Sequence, residues 1–257
     1  MAFPQPDPAA TAVVTGASSG IGEQIARTLA AAGHGVTLVA RREERLEELA
    51  AELGEGAEAV AADLTDPAER AELPARIARR VDILVNNAGF ATGGAFHESP
   101  LEDELRQIRL LCEAPTELMR RFLPGMVERR SGAVLNVTST AGMQPLPNSA
   151  GYAAAKAHLL SLSEGVHAEV RRHGVHVTAL CPPPVHTELF EKEDHPVERI
   201  PRFAWLEPDE VARAGLDGLR ANKRVVVPGA LARVASTISR FAPQAVQLRL
   251  VERAFRT

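Results

Sequence analysis

Aromatic residues and lysine are scarce in this chain. One tyrosine (Tyr152), one tryptophan (Trp205) and three lysines (Lys156, Lys192 and Lys223) occur among 257 residues, and aromatics make up only 4%. Arginine is the default cation, so a lysine at a particular place is less interchangeable than usual. The two cysteines, Cys112 and Cys181, are far apart and have no metal-ligand spacing. That excludes a disulfide framework and points to a reducing, cytoplasmic setting. No apolar run reaches the roughly 18 residues of a membrane span. The opening MAFPQPDPAA lacks the basic-then-apolar order of a secretory leader. Positive charge is not in surplus either: the formal net charge is −4. Without a basic stripe, no nucleic-acid partner is expected. The eight histidines are scattered, with neither HExxH nor a Cys/His ligand set, so no metal is expected.

What is present is a core. Hydrophobic residues make up 45% of the chain, with no linker and no internal repeat, which reads as a single domain over residues 1–257. Short apolar runs rich in β-branched residues fall at 12–15, 36–40, 57–61, 83–86, 133–138, 176–181 and 224–227. Amphipathic helical patterns lie between them, at 20–32, 43–53, 67–79, 101–129, 152–172 and 208–221. Asp66-Pro67 reads as an N-cap followed by a first helical residue, and Glu207-Pro208 as a weaker version. This alternation predicts an α/β, Rossmann-like doubly wound sheet of about seven parallel strands, its core at about 10–229. Two stretches break the pattern. Residues 187–206 read as a small lid. Residues 230–257 read as a helical tail of two amphipathic pieces around Pro243, with Arg233, Arg240, Arg249, Arg253 and Arg256 against Glu252 alone. The tail is expected to pack on its own fold or on a sister subunit.

The first strand runs into Thr15-Gly16-Ala17-Ser18-Ser19-Gly20-Ile21-Gly22. A glycine-rich turn that leaves a strand and opens a helix lets a diphosphate approach free N–H groups at the helix's positive end. That assigns Gly16, Ser18, Ser19, Gly20, Ile21 and Gly22 to a dinucleotide. The second strand ends in Ala40-Arg41-Arg42 instead of an acid. Guanidinium suits a 2′-phosphate, so Arg41 favours NADP(H) over NAD(H), and Arg42 is divided between that role and a solvated helix cap. Asp63-Leu64 and Asn86-Asn87-Ala88-Gly89 follow the third and fourth strands, where open α/β sheets bind ligands. Asp63 is placed to accept from an adenine amino group, and Asn86 reads as a structural hydrogen-bonder between loops.

At the other end, Tyr152 precedes Lys156 by four residues, one helical turn on the same face. A nearby cation favours the phenolate and brings the tyrosine closer to a useful acid/base value. With one tyrosine and three lysines, the pairing arises by chance on the order of 1% of the time. Ser139, at the end of the fifth strand, can hydrogen-bond a substrate carbonyl beside Tyr152.

TGASSGIG at 15–22, NNAG at 86–89, Ser139, and Tyr152 with Lys156, in this order and spacing, resemble the classical short-chain dehydrogenase/reductase family over about residues 10–229. The resemblance implies that Tyr152 protonates a carbonyl as hydride arrives. It implies that Lys156 lowers the tyrosine pKa and binds the nicotinamide ribose, and that Ser139 positions the substrate. It also implies that Asn87, Ala88, Gly89, Val185 and Thr187 belong to the cofactor site, and that the assembly is a homodimer or homotetramer. Phe90, Phe96, Met143, Leu146, Leu189, Phe190 and Trp205 are expected to make the substrate pocket apolar, suited to a small-molecule carbonyl or alcohol. Two departures stand out. Leu111 takes the place of an asparagine that helps the family hold a proton-relay water, and Pro183 replaces a glycine in Cys181-Pro182-Pro183-Pro184-Val185. The first implies slower proton resupply, the second a stiffer loop. Together they motivate an alternative: an NADP(H)-binding sensor or scaffold with weak or no catalysis.

Overall fold

The computed structural model describes residues 3–188 and 204–241, together with Leu248. The strands are β1 (Ala10–Thr15), β2 (Val36–Ala40), β3 (Ala57–Ala61), β4 (Arg80–Asn86), β5 (Gly132–Val137), β6 (Val175–Leu180) and β7 (Val225–Val226). They form one seven-stranded sheet in the order β3-β2-β1-β4-β5-β6-β7, every pairing parallel. β1, β2, β5 and β6 are buried at every residue, as expected of parallel strands covered on both faces.

The described helices are α1 (Gly20–Ala31), α2 (Glu43–Leu53), α3 (Pro67–Arg76), α4 (Leu101–Ile108), α5 (Ala114–Arg129), α6 (Ala150–Val170), α7 (Pro208–Arg220) and α8 (Ala230–Phe241). Side chains alternate across each strand and so supply two cores. Val14, Leu38, Leu135 and Leu180 pack with Ile25 and Leu29 of α1, Leu46 of α2 and Leu216 of α7. Val13, Val39, Val134 and Val177 pack on the other face with Leu73 of α3, Leu118 of α5 and Leu159 of α6. Strand order reverses at β1, which pairs with both β2 and β4. A ligand crevice belongs at the strands' carboxyl ends beside that point.

Several boundaries differ from the sequence pattern. The helix expected over 101–129 is interrupted by a π turn at Arg109–Glu113. Pro115 has no N–H to give, and its ring crowds the carbonyl four residues back, so a widened turn just before it relieves the conflict. β4 starts at Arg80, ahead of the apolar run, because Arg80 is held by ion pairs to Asp82 (2.8 Å) and Asp7 (2.7 Å). α3 stops at Arg76, whose guanidinium donates to the Ala61 carbonyl, and Ile77 turns extended into the core. β7 is only two residues long. Asp66 caps α3 as expected, accepting from Ala68 N at 2.7 Å, whereas Glu207 makes no side-chain cap. Residues 189–203 of the expected lid, and 242–257 of the tail except Leu248, lie outside the described residues.

Candidate active site

The carboxyl ends of the strands open into one cavity of about 580 Å³. It is lined by Gly16, Ser18, Ser19, Gly20, Ile21, Arg41, Asp63, Leu64, Asn87, Ala88, Gly89, Ser139, Tyr152, Lys156, Val185 and Thr187. These are all of the expected catalytic and cofactor-binding residues except Gly22.

Gly16 and Gly20 sit at φ +65° and +58°, the left-handed region that glycine enters without strain. A side chain at Gly16 would place its Cβ 2.7 Å from Ala88 Cα, so glycine lets the first turn press against the turn after β4. Thr15 locks the two together. Its hydroxyl donates to the Val85 carbonyl and accepts from the N–H of Asn87 (2.9 Å) and of Ala88 (3.0 Å). Asn87 Nδ2 returns the contact to the carbonyls of Thr15 and Gly16. In the sequence, Thr15 is signalled only by its position as the first residue of TGASSGIG. Gly22 stands behind the cavity, where a methyl group would strike the Gly16 carbonyl and Asn87 Nδ2. Gly22→Ala is therefore expected to destabilise the fold by about 1–3 kcal/mol, read as a lowered melting temperature. An unchanged melting temperature would show that the turn has slack.

Arg42 closes this end of the cavity. Although its backbone is the N-cap of α2, its guanidinium folds back onto the glycine-rich turn. It donates to Ser18 Oγ and Ser19 Oγ, both at 3.0 Å, and to the Ser18 carbonyl, and it pairs with Glu188 at 3.0 Å. Arg41 lines the cavity beside it. Arg42 is therefore a helix N-cap by its backbone and a lining residue of the cavity by its side chain. On the neighbouring loop, Asp63 Oδ1 accepts from Thr65 N (2.9 Å) and Thr65 Oγ1 (2.8 Å). Burial alone would raise the Asp63 pKa, but these hydrogen bonds and the nearby Arg41 and Arg106 charges hold it below the usual carboxylate range. The Leu64 carbonyl is pinned by buried Arg70, which also pairs with Glu113 and Glu117.

At the opposite end, Ser139 follows β5 and accepts from Ala141 N at 3.1 Å, capping a short 3₁₀ turn, Thr140–Met143. A side chain at Gly142 would meet the backbone of Lys156 and Ala157 at 2.7–2.8 Å, so this glycine seats the turn directly on α6. Tyr152 and Lys156 face the cavity from α6, with Nζ 5.7 Å from the phenol ring centre. Lys156 is buried and donates to the Val137 carbonyl at 2.9 Å. Burial pushes its pKa down to about 8, because low dielectric disfavours the ammonium. Behind it, Leu111 is fully buried, and its Cδ2 reaches within 3.1 Å of where a Gly89 Cβ would stand. The side chain beside the lysine thus makes no hydrogen bond.

The proline run is held from both sides. Thr140 N donates to the Pro182 carbonyl at 2.9 Å and Leu206 N to the Pro184 carbonyl at 3.1 Å, while Pro183 lines the cavity. Of the expected apolar pocket residues, Phe90 and Leu146 line the cavity. Phe96 is instead 63% exposed, and Met143 and Trp205 are absent from the lining. Trp205 stacks on His186 with ring centres 4.8 Å apart. Leu189 and Phe190 lie outside the described residues.

The chain as a whole is matched among known proteins. The short chain dehydrogenase family model matches residues 10–198. A short chain dehydrogenase of Pseudocercospora fijiensis is 37% identical over 192 residues, covering 72% of this chain and 62% of that protein's length. The solved structure of a short-chain dehydrogenase from Sphingobium yanoikuyae in complex with NADPH superposes with a TM-score of 0.81 at 36% identity, covering 93% of this chain and 94% of that one. A bulky-bulky ketone specific alcohol dehydrogenase from Comamonas testosteroni gives a TM-score of 0.77 at 30% identity, covering 94% of both chains. The chain belongs to the short chain dehydrogenase family, oxidoreductases whose fold binds a nicotinamide cofactor. No described helix is long and apolar enough to cross a membrane.

Proposed function

We propose that the chain is an NADP(H)-dependent oxidoreductase that interconverts a ketone and a secondary alcohol on an apolar small molecule. The observation that carries this reading is the single cavity joining Arg41 and Arg42 at one end to Ser139, Tyr152 and Lys156 at the other. The residues present fit the cofactor. Gly16 and Gly20 leave the turn without side chains, the first turn of α1 offers N–H groups to a diphosphate, and Arg41 and Arg42, which line the cavity, are suited to a 2′-phosphate. When bound, the nicotinamide supplies or accepts the hydride.

The protein's own groups do the rest. Ser18, Ser19, Gly20 and Ile21 hold the diphosphate, while Asp63 and Leu64 border the adenine. Asn87, Ala88 and Gly89 line the ribose side, and Val185 and Thr187 take the carboxamide. Ser139 donates to the substrate carbonyl oxygen, and Tyr152 gives that oxygen its proton in reduction and removes it in oxidation. Lys156 stabilises the phenolate form and binds the nicotinamide ribose. Similarity to a bulky-bulky ketone specific alcohol dehydrogenase supports an apolar substrate, as do Phe90 and Leu146 in the lining. The reading includes a cytoplasmic setting and a homodimer or homotetramer. Exposed Leu101, Leu105 and Ile108 on one face of α4 support self-association.

Arg42 supplies the sharpest test of cofactor choice. A hydrogen bond to a charged group is worth about 1.5–3 kcal/mol, so Arg42→Ala is expected to weaken NADPH binding about 10–150-fold and leave NADH binding nearly unchanged. Fluorescence titration with both cofactors reads this directly. Equal losses for the two would refute the 2′-phosphate assignment. A protein that binds NADPH tightly yet oxidises none of it across a broad ketone panel would be the sensor or scaffold that Leu111 and Pro183 bring to mind.

A further inference from the structure

Behind Lys156 lies a second, small cavity of about 10 Å³, lined among others by Thr15, Asn86, Leu110, Leu111 and Lys156. The space matches about one water. One of its walls carries an unmet acceptor: Asn86 is buried, and its Oδ1 has no hydrogen-bond partner.

A chain of side chains fixes which way that amide points. The Ser163 hydroxyl spends its only proton on the Leu159 carbonyl, so its oxygen must accept from Asn136. Asn136 therefore turns Nδ2 to Ser163 (2.8 Å) and Oδ1 to Asn86, and Asn86 must answer with its own Nδ2, also at 2.8 Å. The remaining atom of the Asn86 amide, Oδ1, is an acceptor left over in a buried setting. Lys156 presents the complement. Its ammonium has three donors, of which the Val137 carbonyl takes one. A buried unmet acceptor costs about 1–3 kcal/mol, and a water between a donor and an acceptor removes that cost.

We propose that one internal water fills this cavity, accepting from Lys156 Nζ and donating to Asn86 Oδ1, and that Asn86 is thereby a positioning residue for the charge of Lys156. The inference rests on the reading of Lys156 as the group that tunes Tyr152. Asn86 acts through the water and touches neither substrate nor cofactor. The other titratable groups around the lysine are Tyr152 on its own helix, Cys112 on the π turn and Cys181 after β6. Burial raises the pKa of both thiols, that of Cys181 to about 12. Neither thiol therefore supplies a neutralising charge at physiological pH, and a water dipole aimed by Asn86 would add to the Val137 carbonyl in supporting the ammonium.

Because only three lysines occur, lysine-selective ¹⁵N labelling of the full chain resolves Lys156 for an NMR titration. Two substitutions should move it in opposite directions. Asn86→Leu evicts the water, and the Lys156 pKa falls by about one unit. Asn86→Asp sets a carboxylate across the water, and the pKa rises by about one unit. The pH profile of turnover should follow in the same two directions. A crystal structure of the unsubstituted protein should show one isolated density peak within hydrogen-bond distance of both atoms. A dry cavity there, or a Lys156 pKa unmoved in both variants, overturns the proposal; mere structural damage would shift both variants the same way. The pKa readout is independent of turnover. An opposed pair of shifts in a protein that reduces no ketone would keep this inference and sink the functional reading, and turnover without the shifts would do the reverse.

Discussion

Tyr152→Phe is expected to lower ketone turnover on the order of 10²–10⁴-fold, the usual contribution of a positioned acid/base group, while NADPH affinity stays unchanged. The substitution removes one oxygen and keeps the ring that packs beside Lys156 Nζ at 5.7 Å. The chain has no second tyrosine to take over. Ser139 still holds the carbonyl, so the loss should fall on kcat with KM little altered, because the missing interaction exists only as the proton moves. Steady-state kinetics beside a cofactor titration measures both quantities. A drop of less than about tenfold would assign the proton to another donor.

Lys156→Met should uncouple stability from activity. The buried ammonium has a pKa near 8, down from 10.5. Below pH 8 the lysine is charged in both the folded and unfolded states, and folding bears the full cost of burying the charge. Between pH 8 and 10.5 the folded lysine has released its proton and the unfolded one has not, so stability rises with pH across that window. The cost at pH 7 is about 3 kcal/mol. Methionine, of similar length and apolar, avoids it but leaves the Val137 carbonyl without its donor, which offsets about 1 kcal/mol. The cofactor-free variant should therefore melt several degrees higher than the parent at pH 7, and the gap should close as pH rises from 8 towards 10.5. Turnover should be lost at neutral pH, because the cation that favours the phenolate is gone. Thermal melts of the two proteins over this pH range decide it. A variant less stable than the parent at pH 7 would mean that the lysine is not held as a costly buried charge.

The two parts of the site most legible in the sequence share a property: their members lie within a few residues of one another along the chain. Gly16, Gly20 and Gly22 are one turn, and Tyr152 and Lys156 are one turn of helix apart. Spacing alone brings such residues together once the element type is known. The doubly wound sheet was legible for a related reason, because short runs without alternation, such as 36–40, have to be covered on both faces. What was not legible depends on the direction of a long side chain or on contacts across the fold. For Arg42 the sequence left a helix cap and a cavity role open; its backbone is the cap, and its guanidinium turns back to Ser18 and Ser19. Asn86 reads as a structural hydrogen-bonder, which its bond to Asn136 supports, but no linear pattern shows that its other amide atom is unmet. Phe96 and Trp205 have the composition of pocket residues, and the fold turns them elsewhere. The π turn at Arg109–Glu113 adds too little to the apolar period to be visible, although Pro115 marks the place.

The central claim is that one cavity joins NADP(H) to a proton on Tyr152. The most direct measurement is NADPH absorbance followed during incubation of the purified protein with a panel of bulky ketones, with product alcohol quantified and the Tyr152→Phe variant run alongside. The expected result is NADPH consumed one-for-one with alcohol formed by the parent protein, and NADPH bound but not consumed by the variant. Tight NADPH binding without consumption by the parent, across the whole panel, would contradict the account.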